Sequence, residues 1–141
     1  MNRFWKDIIE PCLITSGAKV IVEVGCDWGL NTSQLIAYCK EHGGFLYIID
    51  PAPRINVVDT YKNFEGSYEF REETSLNVLG KLANYDAILI DGDHNWYTVY
   101  HELKLIEETV HPFPIVMFHD VSWPYDRRDM YYKPENIPDE F

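Results

Sequence analysis

The stretch VIVEVGCDWGLNTSQL, residues 20–35, decides the architecture. Val20–Val24 is an apolar, β-branched run interrupted only by Glu23, as expected of a strand covered on both faces. Gly25 and Gly29 follow, two glycines that let the backbone turn tightly and come close to a ligand. Asn31, Thr32 and Ser33 are N-cap candidates for a helix through Leu35, Ile36 and Cys39, with Gly43–Gly44 as its stop. Strand, glycine turn and helix in that order make the first half of a βαβ unit.

The same rhythm continues outward. Phe45–Ile49, Tyr68–Glu72, Asp86–Ile90 and Pro114–Phe118 read as four more strands, and Tyr68–Glu72, which alternates, is the first candidate for an edge. Each gap has room for a helix or a long turn. Ser75 is placed to cap a short helix containing Leu76, Leu79 and Leu82. Val99, Leu103, Ile106 and Val110 step by four, three and four, the spacing of one helical face, and that helix must stop before Pro112. A helix through Val57, Val58 and Tyr61 fits Pro51–Gly66. An opening helix near Asn2–Glu10 would pack Phe4, Ile8 and Ile9 before Pro11 interferes. Residues 121–141 carry no strand or helix period but cluster Trp123, Tyr125, Tyr131 and Tyr132. That irregular aromatic tail reads as a lid, a dimer contact or the beginning of a missing section.

Length and composition set limits. A chain of 141 residues with 46% apolar content forms one domain, 1–141, with a true core. A net charge of −11 argues against nucleic acid, whose backbone requires clustered Lys and Arg. No apolar run approaches the ~20 residues of a membrane helix, and MNRFWKDIIE is too charged for a signal peptide. Cys12, Cys26 and Cys39 lack metal-type spacing and read as reduced thiols, which places the protein in the cytoplasm.

In open α/β sheets, ligands bind beyond the carboxyl ends of the strands, so the residues following each strand carry the functional signal. After the first strand, the dinucleotide fingerprint G-x-G-x-x-G is absent, because Asp27 stands where a glycine is required. Asp27 would also repel a pyrophosphate, although a bare G-x-x-x-G is equally an ordinary turn. Glu23, inside a buried strand, requires a cationic or amide-bearing partner. Asp50 stands about 20 residues past the glycine turn, where a carboxylate grips a ribose diol. Glu73, Thr74 and Ser75 offer acceptors and hydroxyls at a helix start. After the fourth strand comes Asp91-Gly92-Asp93-His94, and after the fifth His119-Asp120. If those strands are neighbours, Asp91, Asp93, His94, His119 and Asp120 converge on one rim. Carboxylates with imidazole suit a divalent cation, and equally suit general acid–base work.

Three blocks in this order, VIVEVGCDWGLNTSQL, LYIIDPAP, and YDAILIDGDHNWYTVYHELKLI followed by IVMFHDV, resemble the class I S-adenosylmethionine-dependent methyltransferases. The similarity runs from about Val20 to Val121 and is greatest to an O-methyltransferase-like branch with an IDGDH block. The resemblance implies a three-layer Rossmann-like α/β fold with a mainly parallel sheet of order 3-2-1-4-5. The family's closing antiparallel strand pair is expected to be missing, as in a truncated or minimal form. It also implies that Glu23, Gly25 and Gly29 hold the cofactor's methionine portion, that Asp50 accepts from the ribose diol, and that Thr74 and Ser75 contact adenine. Asp91 would lie between cofactor and acceptor. His94 would be a base for the acceptor hydroxyl, with Asp91 and Asp120 beside it as catalytic candidates. Some relatives bind a divalent metal such as Mg²⁺ through positions matching Asp91, His119 and Asp120. The implied activity is methyl transfer to a hydroxyl of a small molecule or sugar, in a chain that acts alone or as a homodimer, without nucleic acid or membrane partners. The alternatives are a non-catalytic cofactor-binding domain of the same fold, or a fragment of a larger enzyme.

Overall fold

The computed structural model describes residues 1–120; the aromatic tail and the expected loss of a closing strand pair both fall on 121–141, outside the described residues. Five strands form one sheet: β1 (Val20–Val24), β2 (Phe45–Ile49), β3 (Tyr68–Arg71), β4 (Ala87–Ile90) and β5 (Ile115–Phe118). Their order is β3-β2-β1-β4-β5, and every neighbouring pair is parallel. The expected Rossmann-like arrangement and strand order are therefore present. The strand order reverses between β1 and β4, which is where such sheets open a crevice.

Register decides what that crevice contains. Val24 lies beside both Ile49 and Ile90, and Ile90 lies beside Phe118. Four strands thus end level, so Gly25, Asp50, Asp91 and His119 all emerge at one rim.

The helices cover the two faces of the sheet. Ile21, Leu46, Ile48 and Leu89 pack on one face with Leu35 and Ile36 of α2 (Leu30–His42) and Leu13 of α1 (Glu10–Ser16). Val22, Val24, Ile49, Ile88 and Ile90 pack on the other with Val78 and Leu79, from α4 (Ser75–Val78) and the 3-10 turn after it, and Ile106 of α5 (Trp96–Thr109). Alternation along each strand sends successive side chains to opposite layers, and burial on both sides accounts for the weak polar alternation. A four-residue helix α3 (Val57–Thr60), capped by the Asn56 side chain, precedes a 3-10 turn at Lys62–Phe64. Among the described residues, no helix is long and apolar enough to cross a membrane.

Several local expectations are corrected. Strands β4 and β5 begin one residue late. Asp86 instead turns its carboxylate onto the Lys19 and Val20 amides, each at 2.8 Å, and Pro114 has no N–H to give a ladder. The opening segment continues past Pro11, as a 3-10 turn at Asn2–Phe4, a π turn at Trp5–Ile9 and then α1. Pro11 falls in the first turn of α1, where its missing donor costs little. Ile9 and Trp5 go inward while Ile8 stays exposed. The cap of α2 is Gly29, in the left-handed conformation and without a side-chain bond, because Asn31 and Thr32 are engaged elsewhere. On α4 the cap residue is Thr74, and Ser75 is the first helical residue. On α5, Ile106 and Val110 are buried as expected, but Leu103 is 42% exposed and Glu102 is fully buried in its place.

Candidate functional site

The glycine turn is built by its neighbours as much as by its own sequence. Gly25 has φ +85°, and a Cβ there would lie 2.5 Å from the Asp91 carbonyl oxygen and 2.7 Å from Gly92 Cα. Its missing side chain lets the ends of β1 and β4 touch. Gly29, φ +73°, leaves room for the Tyr61 hydroxyl, which donates to the Gly29 carbonyl at 2.8 Å. Asp27 also has positive φ, and its exposed carboxylate pairs with Arg54 at 3.1 Å.

Asp50 fixes this turn from the end of β2. Its Oδ2 accepts from the Cys26 and Asp27 amides at 2.8 and 3.0 Å, and its Oδ1 accepts from the Ala52 amide at 2.9 Å. The carboxylate therefore ties two crevice loops together while remaining on the wall of the cavity they enclose. Cys26 beside it is buried, and burial together with the Asp50 charge pushes its thiol well above the usual range, so it is not a nucleophile. All three cysteines are free.

Glu23 occupies the last position of β1 that faces α2. It is fully buried, accepting from Asn31 Nδ2 at 2.8 Å and Thr32 Oγ1 at 2.6 Å. The amide-bearing partner required of a buried carboxylate is Asn31. Burial still dominates and raises the carboxyl to about 7, with the two hydrogen bonds pulling it down. Asn31 lines the cavity, and its remaining polar atom, Oδ1, is buried and has no hydrogen-bond partner among the described residues. In the sequence Asn31 had only the look of a capping residue. The signal that could have singled it out was Glu23, whose partner had to come from the following helix.

At the other end of the crevice, the adjacency of β4 and β5 brings Asp91, Asp93, His94, His119 and Asp120 to one wall. His119 Nδ1 lies 2.8 Å from Asp91 Oδ1 and 3.1 Å from Asp120 Oδ1. His94 Nε2 stands 4.0 Å from Asp91 and 3.8 Å from Asp120. The second oxygen of Asp91 receives the Met1 amino nitrogen at 2.7 Å, and the Phe4 ring tilts against His119 with centroids 6.0 Å apart. Asp93 has a structural task. It accepts from the Asn95 amide at 3.1 Å and from Thr98 Oγ1 at 3.0 Å, anchoring the start of α5.

The positions that match a metal site in relatives, Asp91, His119 and Asp120, stand together on this wall. Among the described residues, no group of three or more His, Cys, Asp or Glu is disposed to hold a metal. No step is assigned to one.

The two ends share a single cavity of about 1370 Å³. It runs from Asp27, Asn31 and Asp50, past Thr74 and Ser75, to Asp91, His94, His119 and Asp120. That exceeds the roughly 300–1,000 Å³ usual for one small ligand, so a nucleoside-sized molecule leaves room for a second. Gly25 lies on the wall, and Glu23 and Gly29 support the turn from behind.

Comparison with known proteins places this site in context. The family model of a methyltransferase domain matches residues 22–121. A solved structure from Staphylococcus aureus, provisionally identified as a caffeoyl-CoA O-methyltransferase, superposes with a TM-score of 0.63 at 18% identity, covering 83% of this chain. This chain spans only 57% of that one. A Methanobacterium thermoautotrophicum structure described as precorrin 8w decarboxylase gives a TM-score of 0.56, also at 18% identity, covering 89% of this chain and 73% of that one. At such identity both likenesses show the fold. No curated protein matches the sequence significantly.

Proposed function

The chain belongs to the methyltransferase domain family, and from that premise we propose that it binds S-adenosylmethionine in the crevice and transfers the methyl group to a hydroxyl of a small molecule or sugar. The observation that carries this is one continuous cavity, with the glycine turn and Asp50 at one end and the paired Asp–His groups at the other. Bound there, the cofactor would supply a methyl on a positively charged sulfur, already electrophilic enough that the protein has chiefly to align the partners and remove a proton.

The residues divide that work. Asp50, held rigid by three amides, faces a ribose diol with its remaining acceptor capacity. Asn31 borders the part of the cavity left for the methionine end. Thr74 and Ser75 border the part of the cavity left for the base. Asp91 and Asp120 orient His119 between them, and both carboxylates stand near His94. His94, so placed, takes the acceptor's proton, and the carboxylates offset the charge it acquires. The acidic wall also favours a cationic donor over a diphosphate. A non-catalytic cofactor-binding domain of the same fold is the second reading.

Calorimetric titration tests the cofactor. S-adenosylmethionine is expected to bind in the micromolar range and NAD not to bind, with affinity severely weakened in Asp50→Ala. Binding of NAD without binding of the sulfonium compound would overturn the proposal. A methyl-release assay over hydroxyl-bearing acceptors separates the enzyme from the binding domain.

A further inference from the structure

The N-terminal segment borders the Asp–His end of the crevice. Met1, Asn2 and Arg3 stand on the cavity wall, carried there by the 3-10 turn at Asn2–Phe4 and the π turn at Trp5–Ile9. A π turn alters where the residues before it project, and such turns gather at functional sites. Trp5 and Ile9 are buried in the core beneath α2, so the segment is anchored. Phe4 tilts its ring against His119 with centroids 6.0 Å apart, and the Arg3 guanidinium lies over the same ring at 4.7 Å. Arg3 thus stands one ring away from the paired Asp–His groups.

Charge singles this arginine out. Among the described residues, five carboxylates border the cavity, and each already has a partner. Asp27 pairs with Arg54, and Asp50 accepts three amides. Asp93 accepts from the Asn95 amide and Thr98 Oγ1, while Asp91 and Asp120 face His119. Of the two arginines on the wall, Arg54 is held by Asp27, and Arg3 has no ion pair among the described residues. The cavity therefore keeps one cation for a ligand, and keeps it away from the glycine turn.

We propose that the acceptor is a hydroxy acid, whose carboxylate Arg3 holds while its hydroxyl turns toward His94. The inference rests on the methyl-transfer reading above and names the acceptor's class. A guanidinium receives a carboxylate through two parallel N–H bonds, which fixes direction as well as position. Asp91 and Asp120 repel a carboxylate, so the acid does not enter reversed. Its uncharged hydroxyl is the end that meets the imidazole.

Calorimetry on the protein loaded with S-adenosylhomocysteine tests this with two acid–amide pairs, 4-hydroxybenzoate against 4-hydroxybenzamide and glucuronate against glucuronamide. The pairs separate a phenolic acid from a sugar acid, and at least one acid is expected to bind about tenfold tighter than its amide. Arg3→Met should bring that ratio to about one, and Arg3→Glu should invert it. Lys6→Met removes a like charge from the same segment at an exposed residue off the cavity wall, and should leave the ratio unchanged. Equal affinity of acid and amide in wild type, no binding of either acid, or a ratio that survives Arg3→Met would overturn the inference and leave the cofactor assignment intact. So would a ratio lost equally in Lys6→Met, which would make the effect one of net charge. Loss of S-adenosylhomocysteine affinity in Arg3→Met would give the arginine to the cofactor's own carboxylate, and likewise overturn it. No binding of S-adenosylhomocysteine to wild type would overturn both readings. Arg3 is exposed, and unfolding midpoints on the same samples establish that each variant is folded.

Discussion

Glu102→Met isolates the energetic cost of a buried carboxyl. Methionine matches the length of glutamate and adds no polar atom to a site that offers the carboxylate no well-formed hydrogen bond. The carboxyl is at about 7 in the folded state, against 4.5 as the ordinary value. Because the folded value is the raised one, the folded state keeps a proton that the unfolded chain has released. Stability therefore falls as pH climbs from about 4.5 through about 7 and then levels off. At 1.36 kcal/mol per unit, the penalty at about pH 8 is about 3 kcal/mol, of which about 2 to 3 kcal/mol develops above pH 5. Urea unfolding at about pH 5 and about pH 8 measures it. Glu102→Met should be more stable than wild type at the higher pH by about 2 kcal/mol or more, with a much smaller gain at the lower. A difference between variant and wild type that is independent of pH, or a loss at both, would refute the reasoning. It would mean that Glu102 is ionised and compensated in the folded protein.

The other buried glutamate should respond in the opposite sense. Glu23→Leu strips the acceptor from Asn31 Nδ2 and Thr32 Oγ1, so it should lose about 2 to 4 kcal/mol in the same urea experiment at about pH 5, and less at about pH 8, where the raised Glu23 carboxyl itself destabilises the wild type. Gly25→Ala places a Cβ against the Asp91–Gly92 backbone at a left-handed φ, where neither chain can yield cheaply. A loss of about 3 kcal/mol or more in thermal unfolding is expected, along with loss of cofactor binding in calorimetry. His94→Asn should lower the methyl-transfer rate by about a hundredfold or more, while cofactor binding is retained. An unchanged rate would remove His94 from the mechanism.

The sequence by itself determined the order of strands and helices, because burial on both faces writes apolar runs whose lengths and spacing are local properties. It also determined which residues stand at the strand ends, since Gly25, Asp50, Asp91 and His119 each follow directly on such a run. What those side chains do was decided by the tertiary structure. Parallel register brought the strand ends level, and the adjacency of β4 and β5 put two aspartates on one histidine. Asp50 proved to hold the glycine turn by three amides, and Asn31, which looked like a cap, proved to be the partner of Glu23. Leu103 and Glu102 show the reason most plainly. Helical spacing marks a stripe of apolar residues, but which side of that stripe turns inward depends on the sheet and on α4, whose atoms are remote in sequence. Only three-dimensional contact could send the leucine outward and leave a carboxyl in the core.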